Sequence, residues 1–384
     1  MNRHSTRPSV VITSALSEKG STFARSLRSL GMQVHGIDDA PWRSRLRSRS
    51  LTSFHELSLQ GSDSQRQAEL LSHLRDIHPQ VFLPLDSEMA RWSVNLLEEL
   101  PAGCQTLLPP AASYQAAYDK DLCLQECRRL SIPVPLSFTR EEALHWFQNG
   151  GGRLVIKPRI DLGAARGMNF AESADELDSA LAQCSQTCRD VTIQEYIPGE
   201  SDSYCNLTVL FDKHTRLIAA STFRKHLSYP LTGGLNAIGV STYQPELLEQ
   251  MLPLFRHWRW AGVAEVEFRI DKRDGLAKVF EINPRVPGYC MFQVFSGVDY
   301  PRLALTAALD EVQLPELEQL SSYRVGLKNI NPTRAFAAAR SLVASQGLFR
   351  TLAMMRRLTR GGLPFLAHQL FHLDEIWQRY GNRT

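Results

Sequence analysis

Nowhere in the 384 residues is there an apolar stretch of the roughly 20 residues that a helix needs to cross a bilayer, so no membrane-spanning helix is expected. The N-terminal MNRHSTRPSVVITSAL is basic, but it runs directly into a strand-like segment and lacks the longer apolar core and cleavage site of a secretory signal. Cysteine is sparse: seven residues, odd in number and scattered, as expected of reduced thiols in the cytoplasm. Cys123/Cys127 and Cys184/Cys188 have helical spacing, yet neither pair has a His placed to complete a four-ligand zinc site. Net charge is small, with 43 Lys plus Arg against 40 Asp plus Glu, which argues against a polyanionic partner such as nucleic acid. The first strand-to-helix turn, TSALSEKGST, has no Gly-x-Gly-x-x-Gly fingerprint, so no dinucleotide site is expected there. There is no Gly-x-Ser-x-Gly elbow and no cysteine in a nucleophile motif, so covalent catalysis through a protein nucleophile is not expected. Internal repeats and low-complexity segments are also missing.

What is present is an ordinary globular composition, 43% hydrophobic and 22% charged, on a chain long enough for two or three cores. Residues 1–110 alternate strand and helix: PSVVITSAL, a helix over about 20–31, MQVHGID, a helix over about 63–77, and VFLPLD ending at Asp86. Such alternation implies a parallel sheet covered by helices. Arg43, Arg45, Arg47 and Arg49 form a basic run, read either as a solvated edge or as part of an anionic substrate's entry. Pro109 and Pro110 mark a boundary, and residues 111–310 mix strands and helices in a second unit. From 311 to 384 the chain is helical and basic, including FLAHQLFHLDEIWQRY, and is expected to pack on the core.

The most informative segment is GVAEVEFRIDKRDGLAKVFEINPR, residues 262–285, which reads as two strands joined through turn residues Asp271 to Gly275. Alternation places Glu265, Glu267 and Arg269 on one face, opposite Val266, Phe268 and Ile270. On the second strand Glu281, Asn283 and Arg285 share a face, with Phe280 and Ile282 opposing them. A connecting loop with an odd number of residues would pair odd positions with odd positions and gather both polar sets on one surface. Carboxylates that close repel unless a cation lies between them, and Mg²⁺ is the simplest candidate. Pro284 stops the strand just past Asn283, so three different polar groups project at its end.

Two further segments suit phosphate and nucleobase. Lys157 closes the apolar strand LVI beside the loop DLGAARGM, where Gly163 and Gly167 would let backbone amides approach phosphate oxygens. The strand VTIQEYI ends in a Pro-Gly turn, and its backbone can pair with the edge of an adenine ring. Arg224 and Lys225, before Tyr-Pro and Gly233-Gly234, look like a strand end and loop suited to an anionic substrate or, equally, an ordinary crossover.

In order and spacing these features resemble the ATP-grasp ligases, whose second metal-binding strand commonly reads FEINPR as here. The resemblance implies an α/β and α+β protein: a Rossmann-like domain over 1–110, an ATP-grasp core over 111–310 and a helical C-terminal region over 311–384. It implies that Glu267, Glu281 and Asn283 hold Mg²⁺, with Mn²⁺ as a substitute, and that Arg285 touches the transferred phosphate or acyl phosphate. Lys120, in YDKDL at a helix start, matches the first phosphate-contacting lysine, and Lys157 with Gly163 and Gly167 matches the second lysine and its covering loop. Glu195 would accept the adenine amino group, with Tyr196 and Ile197 as the hinge. A ribose carboxylate normally follows, and Glu200 and Asp202 compete for it, Asp202 being favoured as the start of the next strand. The implied activity is ADP-forming ligation of a small carboxylic acid or amino acid to an amine or thiol through an acyl phosphate. A carboxylase-type enzyme and a non-catalytic ATP-binding protein of the same fold are the alternatives. Small-molecule substrates, a cytoplasmic homodimer and neither nucleic acid nor membrane are the expected partners and setting.

Overall fold

The computed structural model describes residues 8–38, 48–58, 61–160, 166–231, 234–311, 322–362 and 365–366. Strands β1 (Ser9–Ile12), β2 (Gln33–Asp38), β3 (Ser53–Glu56), β4 (Val81–Leu83) and β5 (Gln105–Thr106) form an all-parallel sheet in the order β3-β2-β1-β4-β5. Helices Glu18–Ser29 and Asp63–Ile77 cover it, as the alternation in the sequence implies. The first begins on the Ser17 hydroxyl, which accepts from Gly20 N, and the second on a capping box between Ser62 and Gln65. Basic run positions 43, 45 and 47 lie outside the described residues, as does Gly163.

A four-stranded antiparallel sheet follows, in the order β6-β9-β7-β8, from β6 (Ser137–Phe138), β7 (Leu154–Pro158), β8 (Asn169–Ala171) and β9 (Val191–Glu195). The third sheet is antiparallel and six-stranded, in the order β14-β13-β10-β11-β12-β15. Its members are β10 (Tyr204–Phe211), β11 (Leu217–Tyr229), β12 (Leu235–Thr242), β13 (Gly262–Ile270), β14 (Ala277–Asn283) and β15 (Lys328–Ile330). The sequence suggests a strand over 217–223 followed by a loop; the strand runs on to Tyr229, and β12 and β15 extend the sheet. Arg224 and Lys225 therefore lie inside a strand rather than at its end. The mixture of parallel and antiparallel sheets with covering helices agrees with the expected α/β and α+β class.

The inward face of the six-stranded sheet carries Leu207, Val209, Phe211, Val266 and Phe268 against helix Pro245–His257, whose Leu247, Met251, Leu254 and Phe255 are fully shielded from water. A second core joins the parallel sheet to the remainder through Phe23, Leu83, Leu107, Leu210, Val286 and Tyr300. Gly262 stands at the junction of these cores. Its φ is +86°, and a Cβ there would come within 2.5 Å of the Leu107 carbonyl oxygen. Glycine alone combines that left-handed backbone with so close an approach of the segment entering β13. Gly262→Ala is expected to lower stability by about 2 kcal/mol or more, read as a drop in the thermal unfolding midpoint; an unchanged midpoint would show that the junction relaxes without cost.

Candidate active site

The four-stranded sheet faces the acidic end of the six-stranded sheet across a cleft of about 1130 Å³. Lys120, Lys157, Glu195, Tyr196, Ile197, Glu267, Glu281, Asn283 and Arg285 all line it. Gly167 and Asp202 do not. Gly167 lies just before β8 with φ +76°, and a Cβ there would meet Pro158 and Thr187. Asp202 is exposed within a one-turn 3-10 helix, Ser201–Ser203, and the next strand begins only at Tyr204; Glu200 is equally exposed. Asp202 therefore does not begin the next strand, the feature that favours it over Glu200 in the sequence.

Both polar faces of the hairpin meet as expected, but for a different reason. Glu265 lies opposite Asn283 and Glu267 opposite Glu281, whereas nearer the turn Phe268 pairs with Val279 and Ile270 with Ala277. The connection between the strands has an even number of residues, so parity alone would have thrown the two faces apart. A bulge at Phe280 inserts the missing residue and restores the register. Phe280 thereby leaves the face shared with Ile282: its ring lines the cleft, edge-on to Tyr204 with centroids 6.1 Å apart.

The charges alternate in sign. Glu267 Oε2 is 2.7 Å from Lys225 Nζ, and its Oε1 accepts from Asn283 Nδ2 at 3.2 Å. Glu281 Oε1 is 3.5 Å from Lys120 Nζ. Glu265 accepts from Asn206 Nδ2 at 2.7 Å and from Arg285 at 3.0 Å, and Arg285 also donates to Asn283 Oδ1 at 3.1 Å. Burial pushes the Glu267 carboxyl up, and the neighbouring Glu265 and Glu281 charges add to the push against Lys225. Burial also acts upward on Glu281, but Lys120, Lys157 and Arg285 together outweigh it, and its pKa falls. Burial brings Lys157 down to about 8, with Lys120 adding repulsion and Glu281 opposing. Lys157 Nζ reaches the Phe280 carbonyl at 3.3 Å. Lys120 is held in place by its neighbour: the Asp119 carboxylate caps the helix by accepting from Asp121 N and Leu122 N, and is itself gripped by Arg159 at 2.8 Å.

At the far end of the cleft the backbone N–H groups of Glu195 and Tyr196 are taken by the carbonyls of Leu136 and Arg153. Among the described residues no protein group accepts from Ile197 N–H, so the donor needed for a ring nitrogen is available. The Glu195 carboxylate is bound by Arg273 at 2.5 Å and by Leu136 N at 3.3 Å. Arg269 lies between the Tyr196 and Tyr204 rings, 4.6 and 4.4 Å from their centroids, and donates to Tyr196 OH, Tyr204 OH and the Gly199 carbonyl. Sequence reasoning placed Arg269 on the polar face without a role and passed over Arg273, Asn206 and Tyr204. Alternation in β10, paired with β13, was the available signal for Asn206 and Tyr204; nothing local marked Arg273. In the sequence Lys225 reads as a strand-end lysine suited to an anionic substrate or an ordinary crossover, and its partnership with Glu267, 42 positions away, is not legible there.

A scan of protein-family models finds none that matches this chain. Among solved structures, similarity extends to the biotin carboxylase domain dimer of 2-oxoglutarate carboxylase from Hydrogenobacter thermophilus, in complex with MgADP, ADP and bicarbonate: TM-score 0.69 and 16% identity over 85% of this chain and 74% of that one. Biotin carboxylase from Campylobacter jejuni follows at 0.68 and 15%, covering 84% and 74%. N5-carboxyaminoimidazole synthetase from Staphylococcus aureus gives 0.61 and 14%, covering 82% and 81%. These are ATP-grasp proteins. The fold is ATP-grasp. The cleft thus lies between the two sheets that an ATP-grasp core sets face to face.

Among the described residues no group of three or more His, Cys, Asp or Glu side chains is gathered in metal-binding fashion. The expected set is smaller, two carboxylates and an amide oxygen from Glu267, Glu281 and Asn283. It fits Mg²⁺, which takes one or two carboxylates and fills its remaining positions with water and phosphate oxygens. The crowding that raises Glu267 is what a bound cation would relieve.

Lys157 gives this site a measurable cost. Its folded pKa lies below the unfolded value, so between pH 8 and 10.5 the unfolded chain holds a proton that the folded one has lost, and stability rises with pH across that window. Below pH 8 the buried ammonium costs on the order of 3 kcal/mol. Lys157→Met is expected to raise the unfolding midpoint at pH 7 and to flatten the rise between pH 8 and 10.5. A midpoint lowered at pH 7 would contradict the burial argument.

Proposed function

We propose that the protein is an ATP-dependent carboxylate–amine ligase that forms an acyl phosphate and releases ADP and phosphate. The observation carrying this reading is the convergence of Lys120, Lys157, Glu267, Glu281, Asn283 and Arg285, drawn from one helix, three strands and the segment just past β14, on one cleft. In this reading the adenine lies against Tyr196 and Ile197, with Ile197 N–H donating to it. Lys120 and Lys157 hold phosphate oxygens, and Glu267, Glu281 and Asn283 hold Mg²⁺. That ion supplies charge screening on the phosphates. A carboxylate oxygen of the acid then attacks the γ-phosphorus, the bond to the β-bridging oxygen breaks and ADP leaves. The amine attacks the acyl carbon, a carbon–nitrogen bond forms, inorganic phosphate departs and the amine's proton passes to solvent. Arg285, fixed by Glu265 and Asn283, faces the negative charge on the acyl phosphate and the tetrahedral intermediate. No protein nucleophile is required, consistent with none in the sequence.

A carboxylating reaction is the second reading, favoured by the bicarbonate and biotin chemistry named for the similar structures. It differs in the acid phosphorylated, and an acid-dependence assay separates the two. ADP release on incubation with ATP, Mg²⁺ and pools of carboxylic and amino acids tests the ligase; release with bicarbonate alone supports the carboxylase. No release with either supports a nucleotide-binding protein without turnover.

Glu281→Gln is expected to reduce ADP formation at least about 100-fold with an unchanged circular dichroism spectrum, because a carboxylate that would hold the metal's positive charge at the transferred phosphate is lost. Turnover at the wild-type rate with Mg²⁺ present would remove Glu281 from the metal set. With the correct acid, hydroxylamine should capture the acyl phosphate as a hydroxamate, and Arg285→Ala should slow that capture. Acid-dependent ADP release without hydroxamate or amide would contradict the acyl-phosphate route, and an Arg285→Ala variant that traps at the wild-type rate would remove this residue from it.

A further inference from the structure

Helices Pro332–Gln346 and Leu348–Thr359 meet at Gly347, whose φ of +87° makes the corner between them. Their inner sides carry Ala335, Ala338, Leu342, Met354, Met355 and Leu358 against Leu227, Ala237, Ile238 and Ile330 of the six-stranded sheet. Packing against the sheet accounts for that side only. The outer side carries Phe336, Val343, Leu348, Phe349 and Leu352, and Phe349 at the corner is 86% exposed. Large apolar side chains gathered on an outward face mark an interaction site.

The charge of the same segment is one-sided. Residues 322–362 contain Arg324, Lys328, Arg334, Arg340, Arg350, Arg356, Arg357 and Arg360 and not one Asp or Glu, in a chain whose acidic and basic totals are nearly equal. Arg340, Arg350, Arg356 and Arg357 are exposed around the apolar residues. We propose that this helical corner docks on an anionic lipid surface, with Phe349, Leu348 and Leu352 entering the headgroup layer and the arginines meeting lipid phosphates. The combination of exposed Phe and Leu with unopposed arginines is the pattern of an interfacial helix. Geometry favours lipid over a protein partner. Leu348, Phe349 and Leu352 are more than half exposed at the corner itself, and a deformable layer accepts such groups where a protein would need a matching hollow. Long arginine side chains can bury their stems while the guanidinium groups stay at the phosphates. No helix among the described residues is long and apolar enough to cross the membrane, so the contact is peripheral.

The test is cosedimentation of the full chain with vesicles of pure phosphatidylcholine and of phosphatidylcholine containing phosphatidylglycerol. The expected result is binding at least tenfold tighter to the anionic vesicles, weakened by salt and lost in a Phe349→Asp/Leu352→Asp variant whose unfolding midpoint is unchanged. Analytical ultracentrifugation of both proteins without lipid completes it. No binding to anionic vesicles at low salt, or equal binding by the variant, overturns the proposal. A dimer that the same substitutions dissociate, without vesicle binding, assigns the face to a second copy of the chain. A monomer without vesicle binding leaves an acidic protein as the occupant.

Discussion

Like charges forced together out of water govern this molecule. Glu265, Glu267 and Glu281 occupy neighbouring positions on two paired strands, and each has been given its own cation: Arg285, Lys225 and Lys120. The cations come from β11, from the helix beginning at Lys120 and from the segment just past β14, so neutralising the carboxylates ties three parts of the core together. Pairing at this depth contributes little net stability, because desolvation offsets attraction. What it contributes is register. A one-residue slip of β14 would leave Glu281 and Asn283 among Val266, Phe268 and the other apolar residues of the inner face, and their cations unpaired.

The acidic hairpin was legible because strand alternation is a local property, and so were most helices, whose caps and periodicities lie within a few residues. Lys120, Lys157 and the 195–197 segment were legible as short motifs. The Phe280 bulge was not: its effect appears only in the pairing of β13 with β14, and the parity argument reached the correct faces by assuming a loop that the chain does not have. Lys225 was hidden for a related reason, since a lysine inside a long strand resembles a lysine in a loop until β11 is seen beside β10 and β13. Asp202 failed because a strand start was taken for Ser201–Ser203, a turn that the local sequence does not distinguish from extended chain.

Arg269 and Arg273 extend the same principle to the proposed adenine end. Arg269 spends its donors on two tyrosine hydroxyls and a carbonyl, setting the Tyr196 ring without meeting a carboxylate. Arg273 binds Glu195 and Asp271 together, while Lys278 also reaches Asp271 at 2.6 Å. The Asp271 carboxyl is accordingly held well below the usual range, by its hydrogen bonds to Arg273 first and then to Lys278. The hairpin that carries the carboxylates at one end thus braces the end of β9 with its turn.

That brace has a mechanical meaning. The Arg273–Glu195 ion pair and the hydrogen bond from Lys272 N to the Pro198 carbonyl fasten the four-stranded sheet to the six-stranded one at the β9 end. At the β7 end, Lys157 reaches the Phe280 carbonyl at 3.3 Å and lies over the Phe280 ring, and Arg159, just past the strand, grips Asp119 at the start of the Lys120 helix. The two sheets are thus fastened at the β9 end by the hairpin turn and at the β7 end by the helix beginning at Lys120, so neither wall of the cleft shifts without breaking charged contacts at one of them.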